Sequence, residues 1–144
     1  MNTLELELIE PEKRAVNVED ILRLPYGLLG FERVKNYVLL TRPQEEPFMW
    51  LQMLDEARQA FLVVSPFLVL PDYQPDIADG DVKFLDLTSS SDALLVNIVT
   101  LRRNSQATIN LKGPIVVNRN TMVGKQVIPN NAAQYSLHHP LPVS

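Results

Sequence analysis

The sequence contains no cysteine and only two histidines, His138 and His139, which are adjacent. The absence of cysteine excludes disulfide bonds and thiolate chemistry, and it fits a reducing compartment. Neighbouring residues of an extended segment point in opposite directions, so one metal ion could not easily bind both histidines. A serine nucleophile would find no other histidine to act as its general base. We therefore expect no bound metal and no cofactor.

Long apolar runs are also missing. The most apolar stretch, residues 61–70, is interrupted by Pro66, whereas a membrane-spanning helix needs about 20 residues. At the N-terminus, Leu4, Leu6 and Leu8 alternate with polar residues, unlike the basic start and continuous apolar core of a secretory signal. We expect a cytoplasmic protein that does not bind membranes.

Eleven prolines are spread along the whole chain and leave few windows for a helix of average length. Between them lie short segments rich in valine, isoleucine and leucine, which is typical of strands separated by turns. The 144 residues match the commonest size of one domain, and neither a linker nor a repeat divides them. The sequence predicts a single all-β domain, residues 1–144, with residues 130–144 as a polar surface tail.

Two kinds of apolar pattern mark the strands. Leu4, Leu6 and Leu8 share one face of a strand, and Ala107, Ile109 and Leu111 share one face of another. Four further segments are apolar on both faces and predict central strands covered on both sides: 37–40, 49–54, 61–64 and 94–101. Asn118-Arg119-Asn120 predicts a tight connection between strands at 115–117 and 122–128, because asparagine tolerates left-handed backbone angles.

Helix candidates are few and short. Residues 20–24, 31–35 and 81–87 could each form a helical turn, and Ser91-Asp92 could cap another. Residues 94–101 fit a strand better, because their β-branched side chains suit a pleated backbone.

The chain carries no motif of an established chemistry. Gly27 and Gly30 lack the lysine of a phosphate-binding loop, and they predict a turn around a buried leucine instead. In the acidic stretch that starts at Asp76, Ala78 and Gly80 occupy positions that must be ligands in a calcium loop. No pair of carboxylates is marked out for acid–base catalysis, so the sequence favours a protein that is not an enzyme.

Charge is distributed unevenly along the chain. Residues 1–92 contain eight Lys/Arg and all 17 Asp/Glu, a net charge of −9, whereas residues 93–144 contain five Lys/Arg and no carboxylate. An acidic majority repels phosphate backbones, and separate acidic and basic faces could attract partners of opposite charge. Folding could equally interleave the two segments and remove the asymmetry.

Five segments, in order, resemble the FliW family of flagellar assembly factors. Residues 24–32, LPYGLLGFE, are similar to the family's glycine-leucine-x-glycine-phenylalanine-glutamate signature. The other four are PFMWLQ at 47–52, AFLVVSP at 60–66, ATINLKGPIVVN at 107–118 and GKQVI at 124–128, followed by Tyr135 and His139-Pro140-Leu141. The family often has proline where Leu29 stands and serine where Met53 stands. Both residues are apolar here, so we expect them in a packed core.

The resemblance implies a compact, mostly antiparallel β-barrel-like fold with short helical turns. It also implies a regulator that antagonises the translational regulator CsrA and binds newly made flagellin. In that scheme the free protein sequesters CsrA and relieves repression of flagellin translation, and accumulated flagellin then captures the protein and frees CsrA. CsrA binds RNA and must present positive charge, so an acidic partner could dock by complementary potential.

Three groups of residues are candidates for partner contacts. The first is Phe48 and Trp50, because aromatic anchors dominate interface energetics, with Gln52 expected to point outward beside them. The other two groups are polar: Asn110, Lys112, Asn118 and Arg119 in one, and Asp72, Tyr73 and Asp76 in the other. Both aromatic residues could instead lie in the core, and the asparagines could instead cap turns.

Two alternative classes stay open. A small β-barrel that binds RNA or another ligand directly would need a basic groove and stacking aromatics, and the chain is acidic overall and only 7% aromatic. An enzyme would be indicated by a deep pocket with converging acids, and a binding protein by an apolar patch with a polar rim. No self-pairing seam is evident in the pattern, so we expect a monomer when the protein is free.

Overall fold

The structure is a computed structural model that describes residues 20–54, 59–103 and 106–141. The strand predicted at Leu4, Leu6 and Leu8 lies outside these residues. The described residues form nine strands: β1 Leu22–Arg23, β2 Asn36–Thr41, β3 Met49–Met53, β4 Ala60–Val64, β5 Ala93–Leu101, β6 Ala107–Ile109, β7 Ile115–Asn118, β8 Val123–Gln126 and β9 His139–Leu141.

The strands form one sheet in the order β9-β6-β5-β4-β3-β2-β1-β8-β7, and an additional pairing of β5 with β7 closes seven of them into a barrel. Pairing is antiparallel except between β1 and β8, where Arg23 lies opposite Val123. β5 belongs to two parts of the sheet. Residues 93–96 pair with β7 and form part of the barrel wall. Residues 99–101 pair with β6, which lies outside the barrel. The predicted all-β, mostly antiparallel barrel is confirmed.

Buried apolar side chains fill the barrel and also cover part of its outside. Leu22, Tyr37, Leu51, Val63 and Ile115 are fully buried in one cluster that draws on strands around the barrel. A second cluster packs where β5 and β6 leave the barrel, and it contains these buried residues: Val64, Tyr73, Val99, Ala107, Ile109 and Leu111. Because some strands are buried on both faces, segments such as 61–64 and 94–101 show no polar alternation.

The helical segments are short, as the prolines predict. The α-helix α1 spans Asp79–Phe84, shifted toward the N-terminus relative to the prediction at 81–87. A 3₁₀ turn at Ser90–Asp92 is capped by the Ser89 hydroxyl. The helical turn predicted at 20–24 is wrong, because Leu22–Arg23 extends to pair with β2 and β8. Within the described parts of the chain, no helix is long and apolar enough to cross a membrane.

The connection between β7 and β8 is organised by the buried Asn118. Its Oδ1 accepts hydrogen bonds from the backbone N–H of Asn120 and Thr121, and its Nδ2 donates to the carbonyls of Leu85 and Asp86. The residue with positive φ in this connection is Met122, at 59°, and not an asparagine as predicted. The Asn118 side chain thus serves as a hydrogen-bond partner for backbone groups on two segments of the chain.

The segment that follows Asn130, expected to be a surface tail, is attached to the sheet. His139–Leu141 forms β9, which pairs with Ala107–Ile109. The ring of Tyr135 packs 4.7 Å from that of Tyr73 in an edge-on arrangement. Many side chains of this segment are exposed, but its backbone is part of the fold.

Candidate functional site

The turn that precedes β2 presents an apolar side chain to solvent. Gly27 and Gly30 have φ angles of 67° and 89°, in the left-handed region that favours glycine. A Cβ atom on Gly27 would lie 2.6 Å from the Cα atom of Glu32, so no other residue fits there. Leu28 is buried, as predicted for a leucine inside this turn, whereas Leu29 is 78% exposed. The expectation that Leu29 packs in the core is wrong, because Leu29 stands at the tip of the turn.

Hydrogen bonds hold this turn in place from both sides. The Oε1 atom of Gln126 in β8 accepts a 2.9 Å bond from the N–H of Leu29. The Oε2 atom of Glu32 accepts a 3.1 Å bond from the N–H of Gly30. That bond is the main reason why the pKa of Glu32 is lowered, with further contributions from its own N–H and from Lys35. The Gln126 bond thus ties the turn to β8, and the Glu32 bond closes the turn internally.

A groove of about 180 Å³ lies beside Leu29. Leu29, Ile128, Tyr26 and Leu137 form its apolar walls, and each of them is at least 49% exposed. Among the described residues, the lining consists of Tyr26, Gly27, Leu29, Glu32, Asn110, Lys112, Gly113, Gln126, Ile128 and Leu137. Large apolar side chains exposed together on one surface are typical of protein–protein contact sites.

The remaining lining of the groove is polar and largely fixed by internal hydrogen bonds. The Oδ1 atom of Asn110 accepts bonds from the N–H of Lys112 and Gly113, at 2.9 and 3.1 Å. Gln126 donates its Nε2–H to the Gly113 carbonyl at 3.2 Å, and the Lys112 ammonium donates to the Ala132 carbonyl at 3.0 Å. Asn110 and Lys112, two predicted contact residues, therefore lie together in the groove.

An aromatic pair extends the apolar surface toward α1. The rings of Tyr26 and Phe84 lie 5.1 Å apart. The ammonium of Lys125 lies over both rings, 5.0 Å from the centre of Tyr26 and 5.7 Å from that of Phe84. Lys125 also forms a 2.6 Å ion pair with Asp81 of α1. This contact joins a lysine of the basic segment to an aspartate of the acidic one, so folding interleaves the two charge blocks here.

The three contact candidates in and beside β3, namely Phe48, Trp50 and Gln52, lie in different environments. Phe48 packs against the cluster outside the barrel. Trp50 is half-buried, and its Nε1–H donates a 3.0 Å bond to Glu45. Gln52 is only 4% exposed, so the expectation that it points outward is wrong. The reason is that β3 is a central strand, in which Gln52 lies between Val38 of β2 and Ala60 of β4.

The acidic candidates divide in a similar way. Tyr73 is buried, and its hydroxyl donates a 2.7 Å bond to the Leu111 carbonyl. Burial raises the pKa of Tyr73 to about 12. Tyr73 thus belongs to the core and not, as predicted, to a polar surface cluster. Asp72 and Asp76 are exposed.

Exposed apolar side chains also occur in the segment that precedes these aspartates. Phe67 and Leu68 are 44% and 61% exposed, and the ring of Phe67 lies 6.1 Å from that of Tyr73. We call Phe67, Leu68, Asp72 and Asp76 the acidic surface. It combines exposed apolar groups with negative charge, whereas the groove combines apolar walls with Lys112 and Glu32.

The two candidates at the β7–β8 connection are not brought to the groove lining. Asn118 is 2% exposed and holds the connection through its side chain. Arg119 is exposed, and its N–H donates a 2.8 Å bond to the Asp92 carbonyl.

Sequence reasoning predicted none of the four apolar wall residues as contact residues, namely Tyr26, Leu29, Ile128 and Leu137. Each follows or precedes a turn or a strand end, where a lone apolar residue gives no periodic signal. One signal was available for Leu29. Gly27 and Gly30 flank two leucines, and a turn this short can bury only one of them, so the other must be exposed.

Among the described residues, Glu32 is the one carboxylate of the groove lining. Across residues 20–54, 59–103 and 106–141, no group of three or more histidine, aspartate or glutamate side chains is placed to hold a metal ion. Apolar walls around fixed amides suit recognition of another chain.

Comparisons with known proteins identify the family and agree with the fold. The family model described as FliW protein matches residues 9–141. A flagellar assembly factor FliW from Leptospira biflexa is 40% identical over 115 residues, covering 78% of this chain and 75% of the relative. One from Syntrophus aciditrophicus is 39% identical over 114 residues, covering 78% and 72%. A crystal structure of the flagellar assembly factor FliW superimposes with a TM-score of 0.78 at 34% identity, covering 90% of this chain and 91% of that one. The chain belongs to the FliW family.

Proposed function

We propose that this protein is a cytoplasmic regulator of flagellar assembly that antagonises the translational regulator CsrA and binds flagellin. The free protein sequesters CsrA and so relieves repression of flagellin translation. Accumulated flagellin then captures the protein and frees CsrA, which closes a feedback loop. The protein acts as a monomeric binding module and not as an enzyme.

The observation that carries this proposal is the groove with its exposed apolar walls. Its lining comes from three of the segments that resemble the FliW family, residues 24–32, 107–118 and 124–128, together with Leu137. The relatives that match over most of the chain are flagellar assembly factors by name. A surface built from the resembling segments, and exposed in the isolated chain, is the expected location of contacts with protein partners.

Electrostatics supports the CsrA part of the proposal. A protein that binds RNA presents positive charge, and the acidic surface offers Asp72 and Asp76 beside the exposed Phe67 and Leu68. Opposite potentials accelerate docking, and apolar groups at the centre of a contact supply most of its affinity. Negative charge near bound CsrA also repels RNA, so inhibition does not require that the protein occupy the RNA site itself.

Calorimetric titration of the protein into purified CsrA, and separately into flagellin, tests the proposal at two salt concentrations. We expect saturable binding to both partners, with weaker CsrA binding at the higher salt because screening reduces the attraction. Salt-independent CsrA binding would refute the electrostatic part. Binding to neither partner would refute the proposal and leave the family and fold standing.

A further inference from the structure

The groove contains a cation that has no carboxylate partner in the part of the chain that the structure describes. Lys112 is half-buried, and its ammonium donates to the Ala132 carbonyl. The ion pairs among residues 20–54, 59–103 and 106–141 join Arg42 to Glu45 and Lys125 to Asp81, and none includes Lys112. A partly desolvated ammonium beside apolar walls gains most from a carboxylate supplied by a bound partner.

The carboxylate of the groove lining, Glu32, is hydrogen-bonded within its own turn. Glu32 accepts the Gly30 N–H, and Lys35 lies close enough to lower its pKa further. The groove therefore offers an approaching chain a half-buried ammonium that has no carboxylate partner among the described residues. A segment that combines apolar side chains with a carboxylate is complementary to this arrangement.

The Leu29 turn of the groove is held in place by the protein itself, which favours a specific occupant. The Leu29 turn is held by two glycines with positive φ and by the bonds to Gln126 and Glu32. A preformed surface avoids the free-energy cost of ordering a loop on association. More of the free energy gained by burying its apolar groups therefore appears as binding affinity.

We propose that the groove receives an apolar protein segment carrying a carboxylate that pairs with Lys112. Under the proposed function, on which this inference rests, that segment belongs to flagellin. CsrA, whose RNA-binding role requires positive charge, binds the acidic surface instead. The two partners thus contact different residues.

The two surfaces are neighbours, so one bound partner still excludes the other. Ile128 and Leu137 line the groove, and the segment between them reaches the acidic surface. Within it, the N–H of Asn130 donates to the Asp76 carbonyl, and Tyr135 packs against Tyr73. A large protein seated on either surface overlaps the approach to the other, which is the exclusion that the feedback loop requires.

Variants of the full chain test this division by calorimetric titration against flagellin and against CsrA. Leu29→Asp and Ile128→Asp each place a charge in the apolar wall at an exposed position. Each should weaken flagellin binding by about tenfold or more and leave CsrA binding within about twofold of the parent. Leu101→Asp is the matched control, since Leu101 is 66% exposed and lies outside the groove lining. It should change neither affinity.

Charge variants provide the second test. Lys112→Glu should weaken flagellin binding by about tenfold, and Lys112→Arg, which keeps the charge, should restore most of it. Asp72→Lys should weaken only CsrA binding. Melting temperatures of all variants establish that they are folded.

The outcomes separate the two proposals. If the parent protein binds neither partner, the proposed function fails and the assignment of the groove fails with it. If the parent binds both partners and the groove variants bind flagellin normally, the proposed function stands and the groove assignment is overturned. Equal weakening of both partners by Leu29→Asp would overturn the assignment as well, because it would mean that they share one set of contacts.

Discussion

Gly27→Ala should destabilise the protein more than any other glycine-to-alanine change in the Leu29 turn. The φ angle of 67° costs an alanine about 1–2 kcal/mol, as for any left-handed L residue. In addition, the new Cβ would lie 2.6 Å from the Phe31 carbonyl oxygen and from the Cα of Glu32. Both are backbone atoms, which cannot rotate away, and overpacking of this kind adds about 1–3 kcal/mol. We expect a total loss of about 3 kcal/mol.

Two other glycines separate the contributions to this value. Gly30 also has positive φ, at 89°, but a Cβ there meets no atom within 4 Å. Gly30→Ala should therefore show the conformational cost alone, about 1–2 kcal/mol. Gly80, inside α1, has neither problem, so Gly80→Ala should stabilise the protein by about 0.5–1 kcal/mol.

Urea unfolding followed by the fluorescence of Trp50, the single tryptophan, measures all three variants against the parent. The predicted order of stability is Gly80→Ala, parent, Gly30→Ala and Gly27→Ala. Equal losses for Gly27→Ala and Gly30→Ala would refute the steric argument. A neutral Gly30→Ala would refute the conformational one.

Three further changes have calculable consequences. Asn118→Ala should lower the free energy of unfolding in urea by about 2–4 kcal/mol, because it leaves the Leu85 carbonyl and the Asn120 N–H without their partner. A loss below about 1 kcal/mol would contradict the structural role of Asn118. Asp86→Gly should raise the free energy of unfolding by about 0.5–1 kcal/mol, because Asp86, just after α1, has a φ of 56°, which glycine adopts without strain. A lower melting temperature would contradict this prediction. The folded-state pKa of Tyr73, about 12, lies above the value near 10 of an unfolded tyrosine, so its stabilisation is complete below pH 10 and is lost as the pH rises toward 12. Tyr73→Phe should flatten this part of the stability profile, and an unchanged profile would contradict the assignment.

Much of the fold was predictable because most strands carry a local signal. Runs of β-branched residues mark β4, β5 and β7, and prolines exclude long helices between them. β1 was mispredicted as a helical turn, because a strand of two residues exists only through its partners Asn36, Tyr37 and Val123. Closure of the barrel by β5 and β7 is likewise a contact between distant segments that periodicity does not encode.

The candidate site was less predictable for the same reason. The N–H of Leu29 is bound by Gln126, which lies 97 residues further along the chain. No local pattern shows that this bond leaves Leu29 exposed at the edge of a groove. Polar character was also a poor guide to exposure, because Gln52 and Tyr73 are buried. Lys112 was found because it lies on a strand-like pattern with a clear polar face.

Under the proposed function, this protein and flagellin together control how much CsrA binds RNA. The fraction of a labelled flagellin-transcript leader bound to CsrA measures this control, first with this protein added and then with flagellin added as well. We expect the bound fraction to fall when the protein is added and to recover as flagellin approaches equimolar amounts. A bound fraction that does not change when the protein is added would refute the proposed function.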